Sequence, residues 1–543
     1  MRLRQLNRGM AKQRILVSDP ISEVGVELLK QHPELDVDVN TGLKPEELLK
    51  IIADYDGLII RSQTKVTAEV LEAASNLKVI GRAGVGVDNV DRDAASTRGV
   101  IVMNTPAGNT ISTAELAFTL MLSAARNIGP AHSEVLKGEF PAARKAYKGI
   151  EINEKRLAVI GMGRIGAEFT KRAQAFGMNV IAFDPFLTQT RADELKVELA
   201  KNPDEALKGA DFVTLHVPLT DDTRHIINTE RLALMNKGAI VVNCARGGLI
   251  DESALKDAIT SGHIAGCGLD VYEEEPPSSD HILFDLPKHI ALTPHLGAST
   301  NEAQENVGIQ VAEQLRDFLT TGEIRNAINM PSLDASALAE IGGYLDLASS
   351  LGKLLAKLGL DNPDSLRVSY HGELSEKDTS LISRTVLTGY LETARADGQV
   401  NIVNSTSIAS DLGLEIIEST INAKTEYSEL IVAELKKDGK KFRVAGTIIG
   451  QSPRIVEIDE LYVDTNIKGN FLIVRNDDRP GIVGLLGTAL GTAGINIANL
   501  SLARNSADGN ALNVIELDSA PCSDIIKTIS KAAGILSVTA VEI

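Results

Sequence analysis

LAVIGMGRIGAEFTKRAQAFGMNVIAFDP, residues 157–185, decides the fold class. The apolar run at 157–161 reads as a buried strand. A second run, NVIAF (179–183), follows a helix expected from about Arg164 to Phe176. Between strand and helix stand Gly161, Gly163 and Gly166. Three glycines at this spacing are weak evidence alone, because ordinary tight turns produce them. In a strand-turn-helix setting each has a task. The first two let the backbone turn and approach a pyrophosphate, and the third lets the helix pack on the strand. The helix N-terminus adds N–H groups and positive potential. Asp184 ends the second strand, where a carboxylate can accept hydrogen bonds from both ribose hydroxyls and repel a 2′-phosphate. Pro185 and Phe186 follow, with no Arg to receive such a phosphate. The reading is a Rossmann-type unit that binds NAD rather than NADP.

The same alternation extends outward. FVTLHV (212–217), AIVVNC (239–244), AGCGLDV (265–271) and IALTP (290–294) continue the block to His295. Upstream, ILVSD (15–19), LDVDV (35–39), GLII (57–60), LKVIG (77–81) and VIVMN (100–104) are separated by helical stretches such as Ser22 to Gln31 and Pro45 to Asp54. Such alternation predicts parallel sheets with helices on both faces. A long helix is expected from Thr110 to Arg126, with Ser112 and Glu115 as a capping box. Another is expected from about Thr300 to Leu319, with Ser299 and Glu302 in the same roles. Around 329–333 the chain turns linker-like. Beyond it, a helix (Ala337 to Leu358) mixes with strands such as LRVSYHG and FRVAGTIIG, without a catalytic pattern. The last block reads strand, helix, hairpin, helix, strand: a ferredoxin-like βαββαβ unit. The expected division is a discontinuous first α/β domain (14–108 with 300–328), a Rossmann domain (109–299), an α+β intervening domain (329–466) and the βαββαβ domain (467–543).

Composition bounds the function. A chain of 543 residues with 43% hydrophobic and 24% charged residues is a folded protein of several domains. A net charge of −18 is a poor match for nucleic acid or anionic lipid. Aromatics at 3% and the absence of Trp argue against stacking platforms for single strands. The longest apolar stretch, Leu116 to Ala125, is too short to span a bilayer. Cys244, Cys267 and Cys522 are scattered, which fits a reducing, cytoplasmic setting with neither disulfides nor a metal site. The opening stretch MRLRQLNRGMAKQR is basic and lacks the apolar core of a secretory signal, so an unstructured start is expected, with the fold beginning near Arg14.

Three polar residues fall near the carboxyl ends of expected strands: Arg246, Glu275 and His295. In open α/β sheets, ligands bind at those ends. A histidine can take a hydroxyl proton as hydride leaves the carbon. A carboxylate beside it favours the imidazolium and fixes the ring. An Arg fork can hold a substrate carboxylate. His216, His225, His263, His281 and His289 lie in the same block and compete for the role.

GMGRIG with Asp184, NCARGGLIDE (243–252), LDVYEEEPP (269–277) and TPHLGAST (293–300) together resemble the D-isomer-specific 2-hydroxyacid dehydrogenases, over about residues 14–325. The resemblance implies that Arg246, Glu275 and His295 are catalytic. It places Arg164, Ile165, Asp184, Val217, Pro218, Cys244, Ala245, Asp270, Gly297 and Ala298 around NAD with the three glycines. RSQTKVT (61–67) and RAGVGVDNVD (82–91) resemble the branch acting on 3-phospho-D-glycerate, in its long form with an intervening domain and a C-terminal ACT domain. The reaction implied is oxidation of 3-phospho-D-glycerate to 3-phosphohydroxypyruvate, which opens serine synthesis. Arg61, Ser62 and Arg82 would then meet the phosphorylated substrate, and Gly84, Val85 and Gly86 would offer N–H groups to its carboxylate. Arg144 and Lys145 would approach the substrate or a partner subunit. The ACT resemblance implies an L-serine effector at Asn476, Asp478 and Asn496, often between two such domains, in a homodimer or homotetramer. Some relatives carry His and Asn where this chain has Asn476 and Asp478, which bears on the effector's identity. Two alternatives stay open: a dehydrogenase for glyoxylate, hydroxypyruvate or 2-oxoglutarate, and an NAD-sensing corepressor on the same scaffold.

Overall fold

A computed structural model describes residues 12–286, 288–331, 335–395, 400–421, 426–505 and 509–543. The basic stretch at 1–11 and the tip of the C-terminal hairpin lie outside the described residues. The first sheet holds β1 (Gln13–Val17), β2 (Leu35–Val39), β3 (Gly57–Ile60), β4 (Val79–Arg82) and β5 (Ile101–Asn104). All are parallel, in the order β2-β1-β3-β4-β5. β3, β4 and β5 are buried on both faces, as a parallel sheet under helices requires, whereas the edge strand β2 is buried only at Leu35. The helix Asn301–Thr321 returns to this sheet. Its Val311 and Leu315 lie so close over Gly81 that a Cβ there would stand 2.5 and 2.3 Å from them. Glycine at that position is therefore a packing requirement.

The second sheet comprises β6 (Arg156–Ile160), β7 (Asn179–Phe183), β8 (Glu198–Leu199), β9 (Phe212–Leu215), β10 (Ala239–Asn243), β11 (Ile264–Leu269) and β12 (Ile290–Leu292). Its order is β12-β11-β10-β9-β6-β7-β8, all parallel. The chain reverses direction across the sheet at β6, so the crevice at the carboxyl ends of β6 and β9 is the expected ligand position. The helix Thr110–Arg126 packs on β10, β11 and β12.

Both capping boxes need correction. Asn109 occupies the cap of Thr110–Arg126, and Ser112 lies inside the helix, donating to the carbonyl of Gly297 at 2.7 Å. Thr300, not Ser299, caps Asn301–Thr321, accepting from the Ala303 N–H at 3.2 Å. The extended backbone that an N-cap needs (φ −118°, ψ 155°) falls on Thr300. Two adjacent hydroxyl residues left the register open, and tertiary position decided it.

The third sheet was only partly legible. It contains β13 (Ser365–Gly372), β14 (Glu415–Ile421), β15 (Glu429–Lys437), β16 (Lys440–Ile449), β17 (Ser452–Ile458) and β18 (Leu461–Asn466). The order is β14-β13-β15-β16-β17-β18, with only the β13-β14 pair parallel. The helices Ala335–Leu358 and Ser380–Ala394 share a core with it that includes Leu347, Leu351, Leu366, Val368, Tyr370 and Val386. The fourth sheet, β19 (Asn470–Asp477), β20 (Ile497–Asn505), β21 (Asn510–Leu517) and β22 (Ile535–Glu542), is antiparallel in the order β20-β21-β19-β22. This is the ferredoxin-like arrangement. Phe471, Ile473, Leu512, Val514 and Val541 belong to the same core as the third sheet, whereas Leu472, Val474 and Ile515 form a separate core with the helices Ile482–Thr492 and Ser523–Ser530. Among the described residues, no helix is long and apolar enough to cross a membrane.

Candidate active site at the carboxyl ends of two sheets

The turn after β6 is built for close approach. Gly161 has φ 97°, and a Cβ there would stand 2.5 Å from the His216 carbonyl oxygen. A Cβ on Gly166 would stand 2.1 Å from the Gly161 carbonyl oxygen, which fixes helix against strand. Gly163 differs, since a Cβ there would meet nothing within 4 Å. It caps the helix Arg164–Ala175 without any side-chain acceptor, so the first turn's N–H groups, at Arg164 and Ile165, face open space. Asp184 accepts from the Met162 N–H at 2.8 Å and the Phe186 N–H at 2.9 Å, holding its carboxylate beside the turn. Val217 borders Gly161, and Pro218 follows it, with its carbonyl oxygen accepting from Thr223 Oγ1 at 2.6 Å. This cradle fits a dinucleotide: an open glycine, an uncapped helix start and a carboxylate on the next strand.

Asp270, at the end of β11, organises the far wall. Its fully buried carboxylate accepts from Thr293 Oγ1 (2.6 Å), the Leu296 N–H (2.7 Å) and the Gly297 N–H (2.8 Å). Burial raises its pKa, and these bonds partly offset that. The Gly297 carbonyl accepts from Ser112 and Thr113, and the Ala298 carbonyl from Gln304 at 2.6 Å. Cys244 is buried, and burial pushes its thiol well up. The adjacent Ala245 N–H donates to Asn243 Oδ1 at 3.0 Å.

His295 sits in left-handed backbone (φ 56°), held by its N–H donating to the Asp270 carbonyl at 2.9 Å. Its Nδ1 lies 2.7 Å from Glu275 Oε2. That bond first, then the carboxylate's charge, raises the histidine pKa against the opposing effect of burial. Burial alone would push Glu275 up, but His295, the Tyr272 N–H at 3.1 Å and the charge of Arg246 together hold it below the usual carboxylate range. Two further His–carboxylate pairs exist among the described residues. His281–Glu252 (2.9 Å) is largely buried, and His225–Glu273 (3.1 Å) is exposed. His216 is desolvated beside Thr214 and pushed down to about 3, His263 meets the Leu232 carbonyl, and His289 meets the Ala124 carbonyl. Of the six, His295 alone combines a carboxylate partner with the influence of Arg246 and Asp270.

The cations come from both sheets. Arg246 bonds to Asp88 Oδ2 at 3.1 Å, a contact from the second sheet to a loop of the first. Its guanidinium also packs against Gly86, where a Cβ would stand 1.8 Å from Nη2. Arg82 folds over Gly84 in the same manner. Burial first, then the charge of Arg246, pushes Arg82 down to about 10, and its Nε is buried without a partner. Arg61 is half-buried and lowered by burial, with Nη1 donating to the Pro20 carbonyl at 3.3 Å. The structure therefore gathers Arg61, Arg82, Gly84, Gly86 and Arg246 into one electrostatic group with Asp19 and Asp88. Val85 joins through its carbonyl, which accepts from Asn104 at 2.6 Å, and Ser62 is exposed beside Arg61.

Sequence reasoning missed Asp19 and Asp88. Asp19 accepts from the N–H groups of Arg61, Gln63 and Thr64 and from Thr64 Oγ1, shaping the loop that carries Arg61. Its place at the end of the ILVSD strand was the available signal. Asp88 carried none, because its partner comes from the other sheet.

The C-terminal residues are dispersed. Asn476 is buried, accepting from Asn513 Nδ2 and donating to the Asp477 carbonyl, both at 2.7 Å. Asp478 faces Arg504 at 3.4 Å. Asn496 donates to Asp518 Oδ2 at 2.8 Å. In the ladder Asn476 pairs with Ala511, while Ile497, beside Asn496, pairs with Leu517. Six residues of strand separate those registers, roughly 20 Å. One chain does not bring the three residues together.

Comparison with known proteins agrees with this geometry. Residues 118–297 match the D-isomer specific 2-hydroxyacid dehydrogenase NAD binding domain, and residues 340–459 match the D-3-phosphoglycerate dehydrogenase intervening domain. A D-3-phosphoglycerate dehydrogenase from Methanocaldococcus jannaschii is 43% identical over 530 residues, covering 98% of this chain and all of the relative. The chain belongs to the D-3-phosphoglycerate dehydrogenase family. A second member, from Bacillus subtilis, is 38% identical over 531 residues, covering 98% of this chain and 99% of its own. The NAD+-bound 3-phosphoglycerate dehydrogenase of Entamoeba histolytica superposes with a TM-score of 0.50 at 29% identity, over 60% of this chain and all of its own. As a member of the family this chain is an NAD-dependent oxidoreductase.

Proposed function

We propose that the chain oxidises 3-phospho-D-glycerate to 3-phosphohydroxypyruvate, with His295 as the base, Glu275 as its orienting partner and Arg246 as the anchor of the substrate carboxylate. The observation that carries this reading is the 2.7 Å bond from His295 Nδ1 to Glu275 beside Arg246. With Nδ1 committed to the carboxylate, Nε2 is the atom left to take the hydroxyl proton as the carbon–oxygen double bond forms. Bound NAD supplies the acceptor for the hydride. The raised pKa of His295 suits it to hold that proton and return it in the reverse direction. Arg61 and Arg82, with Ser62, take the phosphate, and the N–H groups of the Gly84–Gly86 segment help hold the carboxylate. The desolvated Arg82, crowded by the charges of Arg246 and Arg61, supports this, because an anionic substrate would offset that positive charge. Full-length similarity to D-3-phosphoglycerate dehydrogenases favours this substrate over glyoxylate or 2-oxoglutarate and over a corepressor role.

The cradle residues Gly161, Gly163, Gly166, Arg164, Ile165, Asp184, Val217, Pro218, Cys244, Ala245, Asp270, Gly297 and Ala298 border NAD in this reading. The domain division is 14–108 with 300–328, 109–299, 329–466 and 467–543, and the enzyme works in the cytoplasm as a homo-oligomer. The exposed Ile128, Val135, Leu136 and Phe140 on the helices Ile128–Leu136 and Phe140–Ala146 support a second copy there, with Arg144 and Lys145 beside it. Serine binds between two copies of the C-terminal domain, because Asn496 lies far from Asn476 and Asp478 in one chain.

NADH formation from 3-phosphoglycerate at alkaline pH, with hydrazine trapping the product, tests the reaction. Unchanged turnover in His295→Ala would overturn the mechanism. Serine inhibition in wild type that is lost in Asn496→Ala tests the effector site.

A further inference from the structure

A cleft of about 430 Å³ lies where the first and third sheets' domains meet, remote from the fingerprint turn and the His295–Glu275 pair. Arg92 opens the helix Arg92–Thr97 on one wall, and Arg384 projects from Ser380–Ala394 on the other. Asp93 is the one acid in its lining. Arg384 makes a single hydrogen bond, Nη2 to Thr406 Oγ1 at 3.3 Å, while its Nη1 is shielded from solvent with no acceptor. Burial pushes its pKa down, and the charge of Glu418 only partly offsets this. Among the described residues neither guanidinium has an ion pair, and that of Arg92 has no hydrogen bond either.

The walls are pinned. Asn329 donates to Ser96 Oγ (3.2 Å) and the Val100 carbonyl (2.8 Å) and accepts from the Val102 N–H (3.0 Å). Across the junction, Asn401 Nδ2 donates to the Gly99 carbonyl at 3.0 Å. Gly99 has φ 73°, and a Cβ there would stand 2.2 Å from that nitrogen. A side chain at 99 would therefore displace the Asn401 amide and break that bond. The backbone on both sides of the junction is thus tied down, with Arg92 exposed on one wall and Arg384 half-buried on the other. A desolvated guanidinium nitrogen without an acceptor is costly, and native structures rarely keep one without cause. Guanidinium forks match the oxygens of a phosphate group.

From this geometry we infer that the cleft between Arg92 and Arg384 binds a small, multiply charged anion bearing a phosphate group, which bridges the first and third domains. Nothing in this inference depends on the catalytic reading, because none of the proposed substrate or NAD residues lines the cleft.

The test is thermal unfolding of the full-length chain against inorganic phosphate, with chloride at matched ionic strength. Wild type, Arg384→Gln, Arg92→Gln and Arg384→Lys are compared. Phosphate at the catalytic cleft contributes equally to all four, so differences report the second site. Without phosphate, Arg384→Gln is expected to melt at or above the wild-type temperature, since it removes an unpaired, desolvated charge. With saturating phosphate the order reverses: the wild-type Tm rises, the two Gln variants lose at least half of that rise, and Arg384→Lys keeps part of it. KM for 3-phosphoglycerate stays unchanged in Arg384→Gln. Equal phosphate-induced rises in all four proteins overturn the inference. So does an Arg384→Gln deficit that is constant at every phosphate concentration, since that marks Arg384 as structural only.

Discussion

The candidate cleft and the seam between the third and fourth sheets treat buried charge in opposite ways. In the cleft, Arg82 is desolvated, crowded by Arg246 and left with an unpartnered Nε. At the seam, Glu516 on β21 is also buried, but four donors surround it. Thr465 Oγ1 (2.7 Å), the Asn466 N–H (2.9 Å) and Asn499 Nδ2 (3.3 Å) reach Oε1, and Asn466 Nδ2 (2.7 Å) reaches Oε2. Burial would raise the Glu516 pKa, yet those bonds hold it low. Charge with every valence met joins one domain to another. In the cleft, burial and a like charge instead hold Arg82 below its ordinary value.

The largest expected effect lies in the cleft. His295→Ala should lower kcat by about 10²- to 10⁴-fold, the usual worth of a positioned proton acceptor, with NADH affinity by fluorescence titration unchanged. A fall in NADH affinity of similar size would mean that His295 serves the cofactor instead. Next, Arg82→Met should cut kcat/KM for 3-phosphoglycerate roughly 10- to 100-fold while leaving Tm equal or higher, because it removes an unmet charge. A clear loss of Tm would place Arg82 with Glu516 as a structural ion and break the contrast.

At the seam the reverse pattern is expected. Glu516→Gln should weaken the junction by about 1–3 kcal/mol, seen as faster hydrogen exchange in β18 and β20, without changing basal turnover. The pH sign follows from the depressed pKa of Glu516. Its contribution is complete above the ordinary carboxylate range and is lost as pH falls through the folded-state value. Protection that survives acidification undiminished would remove Glu516 from that role.

The finest test separates His295 from its partner. Because Glu275 raises the histidine pKa, Glu275→Gln should move the acidic limb of kcat/KM for oxidation to lower pH, and the basic limb of the reverse reaction in the same direction. An unshifted limb would show that the titrating group is not His295.

Much of this was legible in advance where chemistry is local. The strands LDVDV, GLII and NVIAF appear with the bounds read from sequence, since β-branched apolar runs between turn signals have few alternatives. The glycine turn, Asp184 and the residues at 246, 275 and 295 were visible because strand ends carry them. Less legible was the third sheet, four of whose six strands were not named in advance. These strands carry many charged and half-exposed residues, and only the pairing of β13 with β14 and β15 spans a long stretch of chain.

The sequence by itself determined the two parallel sheets, the ferredoxin-like tail, the glycine turn and the candidates for the reactive groups, because each follows from periodicity or from residues adjacent in the chain. Only the tertiary structure decided which histidine of six acquires a carboxylate in the cleft, that Asp88 meets Arg246, that Thr300 rather than Ser299 caps its helix, and that Asn496 stands at the opposite end of the sheet from Asn476. Apart from the cap, those outcomes depend on pairs separated by tens to hundreds of residues. Their energies arise from desolvation and distance, which no local pattern encodes.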